Sequence, residues 1–237
     1  MTATLRTHIG KVRKQNEDAA WFDESRGIYV VADGMGGHLA GEVASAMAID
    51  AIRRMAQENE IASINVLREA VCSAHEAIVS HAAENKKCSG MGTTLSAMWR
   101  GGHYMYVAHV GDSRIYRLRG GKLERITQDH SLVEELVRAR IITREEARNH
   151  PRRNIITRAL GTPGENAPDL LAADIEPGDL WLLCSDGLSG MVSDEEIERV
   201  LRSGESLDRM ADCLMNMALE AGGRDNVTLI LCRSEEV

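Results

Sequence analysis

The spacing of apolar positions changes several times along the chain, and each change marks an element. Three early runs alternate or cluster β-branched and aromatic residues and predict strands over residues 4–10 (TLRTHIG), 19–23 (AAWFD) and 27–33 (GIYVVAD). Val43, Met47, Ala51, Ile52 and Met55 then recur at helical spacing, predicting a helix over 39–57. Val66, Leu67, Val71, Ala74 and Ile78 do the same over 64–84. Four short strand patterns follow, 93–100, 103–111, 113–120 and 122–127, separated by the turn sequences RGGHY, VGDS and RGGK. Ser131 with Glu134, Thr143 with Glu146 and Ser193 with Glu196 each have the spacing of a capping box, in which hydroxyl and carboxylate satisfy each other's backbone amides. Residues 169–176 and 178–187 read as strands, 206–221 as a Met-rich helix closed by Gly222 and Gly223, and 226–234 as a last strand. Blocks of strands alternating with blocks of helices argue for an α+β fold with antiparallel sheets, not an alternating parallel one.

No repeat, low-complexity tract or Pro/Gly/Ser linker divides the 237 residues, so 1–237 is expected to form one domain. Aromatics are only 3%, which leaves the core to aliphatic side chains and the 11 methionines; those at 210–217 are read as core packing. A net charge of −8 excludes the basic stripe that nucleic-acid binding needs. There is no 18-residue apolar run and no apolar segment in MTATLRTHIGKVRKQNED, so neither a membrane span nor a secretory signal is expected, and the cytoplasm is the expected location. Five cysteines at 72, 88, 184, 213 and 232 form no C-x-x-C pair, which argues against a zinc site and a disulfide framework. With no G-K-[ST] in the chain, Thr93 and Thr94 do not belong to a nucleotide-binding loop; a run of small residues there lets a strand pack closely.

The informative residues are acidic. Asp33 follows IYVVA, Asp112 follows MYVAHVG, Asp186 follows LWLLCS, and Asp225 precedes VTLILC; Asp18 stands just before a strand. One aspartate at a strand end usually begins a turn. Five gathered at one sheet edge would repel each other and require a cation. An all-oxygen set without a His or Cys pattern selects Mg²⁺, Mn²⁺ or Ca²⁺. Glycines beside Asp33, Asp112 and Asp186 are expected to clear space for the ions and their waters and to let a backbone carbonyl coordinate as well.

In order along the chain, RKQNED, VVADGMGG, GMGTT, AHVGDSR, TQDHS, NIITRALG, LLCSDGL and GGRDNVT resemble the motifs of the metal-dependent type 2C (PPM-type) Ser/Thr protein phosphatases, in their short bacterial form, over about residues 5–233. The resemblance implies an α-β-β-α sandwich of two antiparallel sheets with a metal cleft at one sheet edge. It implies two Mn²⁺ or Mg²⁺ ions, bridged by Asp33, with Gly34 on one and Asp186 and Asp225 on the other. Glu17 and Asp18 would hold the metals' waters or ligate directly, Asp112 would serve a third, weaker ion, and Arg13 would grip the substrate phosphate.

Chemistry supports such a set independently. Phosphomonoester hydrolysis is among the slowest uncatalysed reactions in water. Two cations roughly 3.5–4 Å apart can share a hydroxide that attacks phosphorus in line, with no covalent enzyme intermediate. An arginine fork neutralises two phosphate oxygens. Relatives of the human type place a histidine inside DG-x-GG, whereas this chain has Met35, so the proton donor to the leaving serine or threonine is open between His38 and a metal-bound water. His109 and His130 are read as structural. Arg138 to Arg158 hold seven arginines and two glutamates, within a flap of roughly 130–160. That charge is either a solvated surface or a substrate-facing flap, and Arg152 and Arg153 are expected to help select phosphoproteins. The expected partners are phosphoprotein substrates, including a Ser/Thr kinase and its targets, acted on by a monomer.

A cysteine-based phosphatase is excluded because no cysteine has arginine six positions on, and an aspartyl-phosphate enzyme because DGM lacks the second aspartate of D-x-D. The rival from another class is a metal-free docking module of the same fold.

Overall fold

The computed structural model describes residues 1–36, 40–164 and 166–235. One sheet has the strand order β1 (Thr2–His8), β11 (Val227–Arg233), β10 (Leu180–Cys184), β7 (Arg114–Arg119), β8 (Lys122–Arg125). The other runs β2 (Asp18–Asp23), β3 (Ile28–Met35), β5 (Leu95–Gly101), β6 (Tyr104–Val110), β9 (Asp169–Asp174), and the short β4 (Gly92–Thr93) pairs the end of β3. Every pairing is antiparallel. Helices α1 (Ala40–Glu58) and α2 (Ile64–Glu84) cover the second sheet. Helices α5 (Asp186–Ser189), α6 (Asp194–Leu201) and α7 (Leu207–Glu220) lie on the side of the first. Between β8 and β9 the chain makes an excursion carrying α3 (Leu132–Arg138) and α4 (Arg144–Arg148).

The unbroken apolar runs of the sequence follow from this layering. Ile28, Val30 and Ala32 pack against α1 and α2, while Tyr29 and Val31 face the space between the sheets. On β10, Trp181 and Leu183 point into that space, and Leu180, Leu182 and Cys184 meet the helices outside. Strands buried on both faces need no polar alternation. Met210 and Met215 of α7 are core residues, and all five cysteines are unpaired. No described helix is long and apolar enough to cross a membrane.

Three local expectations change. The strand expected over 93–100 is two strands broken at Thr94, because its start pairs with Gly34 and Met35 and the rest pairs further back along β3. The strand expected over 178–187 ends at Cys184, and Asp186 opens α5 instead. Of the three capping boxes, those at Thr143 and Ser193 are complete. At Ser131 only the hydroxyl caps; the Glu134 carboxylate is taken by Arg125 at 3.0 Å.

Candidate metal centre

The inner face of the sandwich turns acidic at one end. Asp18 and Asp33 stand directly opposite each other in the β2–β3 register. Asp33 continues the Tyr29, Val31 alternation that lines the space between the sheets. Its backbone is held on both sides: the amide donates to Thr94 Oγ1 at 2.9 Å, and its carbonyl accepts from the Thr94 amide (2.9 Å) and Thr93 Oγ1 (3.0 Å). Thr94 Oγ1 in turn meets Ser113 Oγ at 2.8 Å, which joins the Asp33 strand to the turn bearing Asp112. Asp18 Oδ2 accepts from Ser185 Oγ at 2.8 Å, and Ser185 stands just before Asp186.

Backbone contacts deliver the remaining acids. A Cβ on Gly187 would lie 1.8 Å from the Asn226 carbonyl, so only glycine lets α5 touch the start of β11, bringing Asp186 and Asp225 together. The loop before β2 is tied to the same place. Asn226 donates through Nδ2 to the carbonyls of Ile9 (2.9 Å) and Gln15 (2.8 Å), and its Oδ1 accepts from the Glu17 amide (2.8 Å). Arg13 on that loop donates through Nη2 to Asp225 Oδ2 at 2.7 Å. Glu17 lies over the start of α1, where its carboxylate would be 2.8 Å from a Cβ on Gly41.

The clear space expected beside Gly34 is absent on its Cβ side. The space a side chain would fill there is occupied by backbone, with the Gly41 carbonyl at 2.1 Å and the Glu17 carbonyl at 2.6 Å from a Cβ. Glycine at 34 permits the loop and α1 to close on the strand; it does not open room for water.

Burial raises every acid of the group for which a shift is resolved. Desolvation pushes Asp18 up to about 7, reinforced by the charges of Asp186 and Asp225 and opposed by Ser185 and Thr228. Desolvation and the charges of Asp18, Asp186, Asp112 and Asp225 hold Asp33 well above the ordinary carboxylate range. Asp112 is raised the same way by burial, Asp186 and Asp129. Asp186 is raised by burial and Asp225, offset by a hydrogen bond with Asp33. Glu17 is raised by burial against the pull of Arg13.

Asp18 Oδ1 and Asp112 Oδ1 are buried with no hydrogen-bond partner among the described residues. Repelling carboxylates with orphaned oxygens fit hard divalent cations. Among the described residues no three acidic, imidazole or thiol groups form an all-protein cage.

His38 lies outside the described residues. His109 is buried and neutral, pushed down to about 4 by desolvation, with Nδ1 on Ser96 Oγ and Nε2 on the Gln128 carbonyl. His130 accepts from the Gly111 amide through Nδ1 and meets Asp169 through Nε2 at 3.1 Å. Both have the structural role expected. From Asp112 and Asp186 a groove of about 780 Å³ runs out between α6 and the excursion, past Arg144, Arg148 and Arg153. Sequence reasoning missed Thr94, Ser113, Ser185 and Asn226 as supports; the GTT, GDS, CSD and RDN contexts were the only signal.

A family model described as Protein phosphatase 2C matches residues 7–228. The serine/threonine phosphatase stp of Listeria welshimeri is 41% identical, covering 98% of this chain and 95% of that protein. The crystal structure of the Mycobacterium tuberculosis serine/threonine phosphatase PstP/Ppp superposes with a TM-score of 0.91 at 40% identity, covering 99% of each chain. The catalytic domain of PstP in complex with two manganese ions has a TM-score of 0.91 at 38% identity, covering 99% of this chain and 98% of that one. The two antiparallel sheets, the acids at their shared end and these likenesses together place the chain in the protein phosphatase 2C family.

Proposed function

We propose that this chain is a metal-dependent phosphatase of phosphoserine and phosphothreonine in proteins. The observation that carries the reading is the group of buried, mutually repelling aspartates with orphaned oxygens, set at the end of a groove and fronted by one arginine. Asp33, Asp186 and Asp225, with the Gly34 carbonyl, are the residues to hold two Mn²⁺ or Mg²⁺ ions; Asp18 and Glu17 would hold the ions' waters or ligate directly, and Asp112 would serve a third, weaker ion. When bound, such ions make hydroxide available near neutral pH and neutralise a phosphoryl group. Arg13 uses one donor on Asp225, and its planar fork has others for phosphate oxygens. Thr94 and Ser113 keep the Asp33 backbone and the Asp112 turn in fixed relation, so the acids need not reorganise when charge arrives. The candidate proton donors to the leaving alkoxide are His38 and a metal-bound water.

The physiological substrates are phosphoproteins, including a Ser/Thr kinase and its targets, acted on by a cytoplasmic monomer. Relatives carrying the name serine/threonine phosphatase support the substrate class. The test is hydrolysis of p-nitrophenyl phosphate and of a phosphothreonine peptide with Mn²⁺, with EDTA, and by Asp33→Asn. Metal-dependent turnover lost in the variant is expected. A wild-type protein inactive with Mn²⁺ would leave a docking module as the better reading.

A further inference from the structure

The groove beside the metal centre is bounded by a ring of polar contacts that the chemistry does not use. Arg114, two residues beyond Asp112, clamps Asp129 at the base of the excursion through Nε (3.0 Å) and Nη2 (2.7 Å). Its Nη1 donates to the Tyr116 hydroxyl at 3.1 Å. That hydroxyl donates to Asp194 Oδ1 at 3.0 Å, on the first residue of α6. Arg148, the last residue of α4, approaches Asp194 and Glu195 at 4.0 Å each. The excursion therefore meets β7 at two places, at its base through Arg114–Asp129 and at its outer helix through Asp194, which takes the Tyr116 hydroxyl bond and stands between Arg114 Nη1 (3.7 Å) and Arg148. The groove lies between the two ties.

Tyr116 is 1% exposed, and its ring packs in the cluster with Leu182, Leu188 and Val227. Packing alone would be met by phenylalanine, since a buried hydroxyl is costly unless bonded. Both capacities of this hydroxyl are engaged, one proton given and one lone pair used, and both serve groups that hold the flap.

We propose that Tyr116 is a positioning residue whose hydroxyl sets the stance of the flap's outer helix over the groove, and with it the binding of phosphoproteins but not of small esters. The inference rests on the phosphatase reading for its kinetic part and on the fold alone for its structural part.

The experiment compares Tyr116→Phe, Arg148→Ala and the double variant. Loss of one buried hydrogen bond is expected to raise KM for a phosphothreonine peptide about fivefold, with kcat and the constants for p-nitrophenyl phosphate within about twofold of wild type. Trypsin cleavage after Arg138, Arg140 and Arg144, all exposed, is expected to quicken by a similar factor. Because the two side chains act through Asp194, the double variant should be no worse than the worse single one. Equal changes on both substrates, additive effects, or unchanged cleavage in Tyr116→Phe would overturn the proposal. Should the wild type hydrolyse nothing with Mn²⁺, the phosphatase reading fails, while the cleavage rates and their additivity still decide whether Tyr116 holds the flap.

Discussion

Asp112 and Asp129 line the same groove and are buried equally, each 8% exposed, but their surroundings are opposite. Asp129, at the root of the flap, receives the bidentate fork of Arg114 and lies 3.6 Å from Arg125. Glu134 beside it, also 8% exposed, meets Arg125 at 3.0 Å and Arg144 at 3.6 Å. Asp112 keeps an orphaned oxygen; the charges of Asp186 and Asp129 push it up, against a smaller opposing pull from Arg114. The flap root carries its own counter-charges. At the sandwich end Arg13, half-exposed, bonds Asp225, and Arg114, spent on Asp129, acts on Asp112 and Asp186 only through its charge. A buried acid with an arginine completes itself and is architecture, whereas one among other acids is a demand for a cation from solution.

Substituting one acid from each group should separate them most sharply. Asp33→Asn is expected to lower Mn²⁺-dependent turnover of p-nitrophenyl phosphate by about a thousandfold or more, as for residues that act as a unit. In EDTA near pH 8 the same variant should melt above wild type, since a disfavoured charge is gone. Asp129→Ala should do the reverse for stability, costing about 3 kcal/mol with or without metal because it strands the buried Arg114 guanidinium. Thermal melts of both variants in EDTA and Mn²⁺ check the signs. A destabilised Asp33→Asn in EDTA would erase the distinction between the groups.

Acidity provides the next test. Asp18 is pushed up to about 7, so its proton favours the folded state. The contribution is fully present below the unfolded value of about 4 and is lost as pH rises through about 7. Metal competes with that proton, so Mn²⁺ should stabilise more as pH rises. Acids with lowered values elsewhere, such as Asp169 and Asp174, act with the opposite sign at lower pH, so the readable quantity is the difference between wild type and Asp18→Asn. In EDTA the variant should gain on wild type between about pH 4 and 7 and level off above. A difference independent of pH would place the Asp18 proton outside this account.

Much of the fold was legible because burial on both faces of β3, β10 and β11 writes unbroken apolar runs bounded by Gly and Asp. The acids were legible because each sits where such a run stops. Their supports were not. Thr94 and Ser113, or Asn226 and Glu17, meet only once the sheets are assembled, and a lone hydroxyl or amide has no periodicity to announce it. The hold on the flap is hidden in the same way: the guanidinium clamping its root belongs to Arg114, outside the run of seven arginines. Gly34 could not be read because an open space and a close backbone approach both require glycine.

Arg13 probes the boundary between the two groups, being the arginine hydrogen-bonded to an acid of the sandwich end, Asp225. Arg13→Ala is expected to raise KM for p-nitrophenyl phosphate about tenfold while changing kcat less, the signature of lost ground-state phosphate binding. Steady-state kinetics at saturating Mn²⁺ measure this. A fall in kcat with constant KM would assign Arg13 to the transition state alone.

The smallest effect expected is at the flap's outer surface, where Arg152 is exposed and Arg153 lines the groove. Neither is clamped as Arg114 is, so neutralising both should leave folding intact. Exposed charges contribute little each, so KM for a phosphopeptide should rise about two- to threefold, with p-nitrophenyl phosphate unchanged. The contrast with Arg13 is the useful part. A small ester is too short to span both the acids and the outer groove, so a charge that touches only the peptide changes one substrate and a charge that touches phosphate changes both. Equal effects of Arg152→Ala/Arg153→Ala on the two substrates would show that the flap acts on the phosphate site itself, and the flap's charge would then belong with Arg13 and not with its own root.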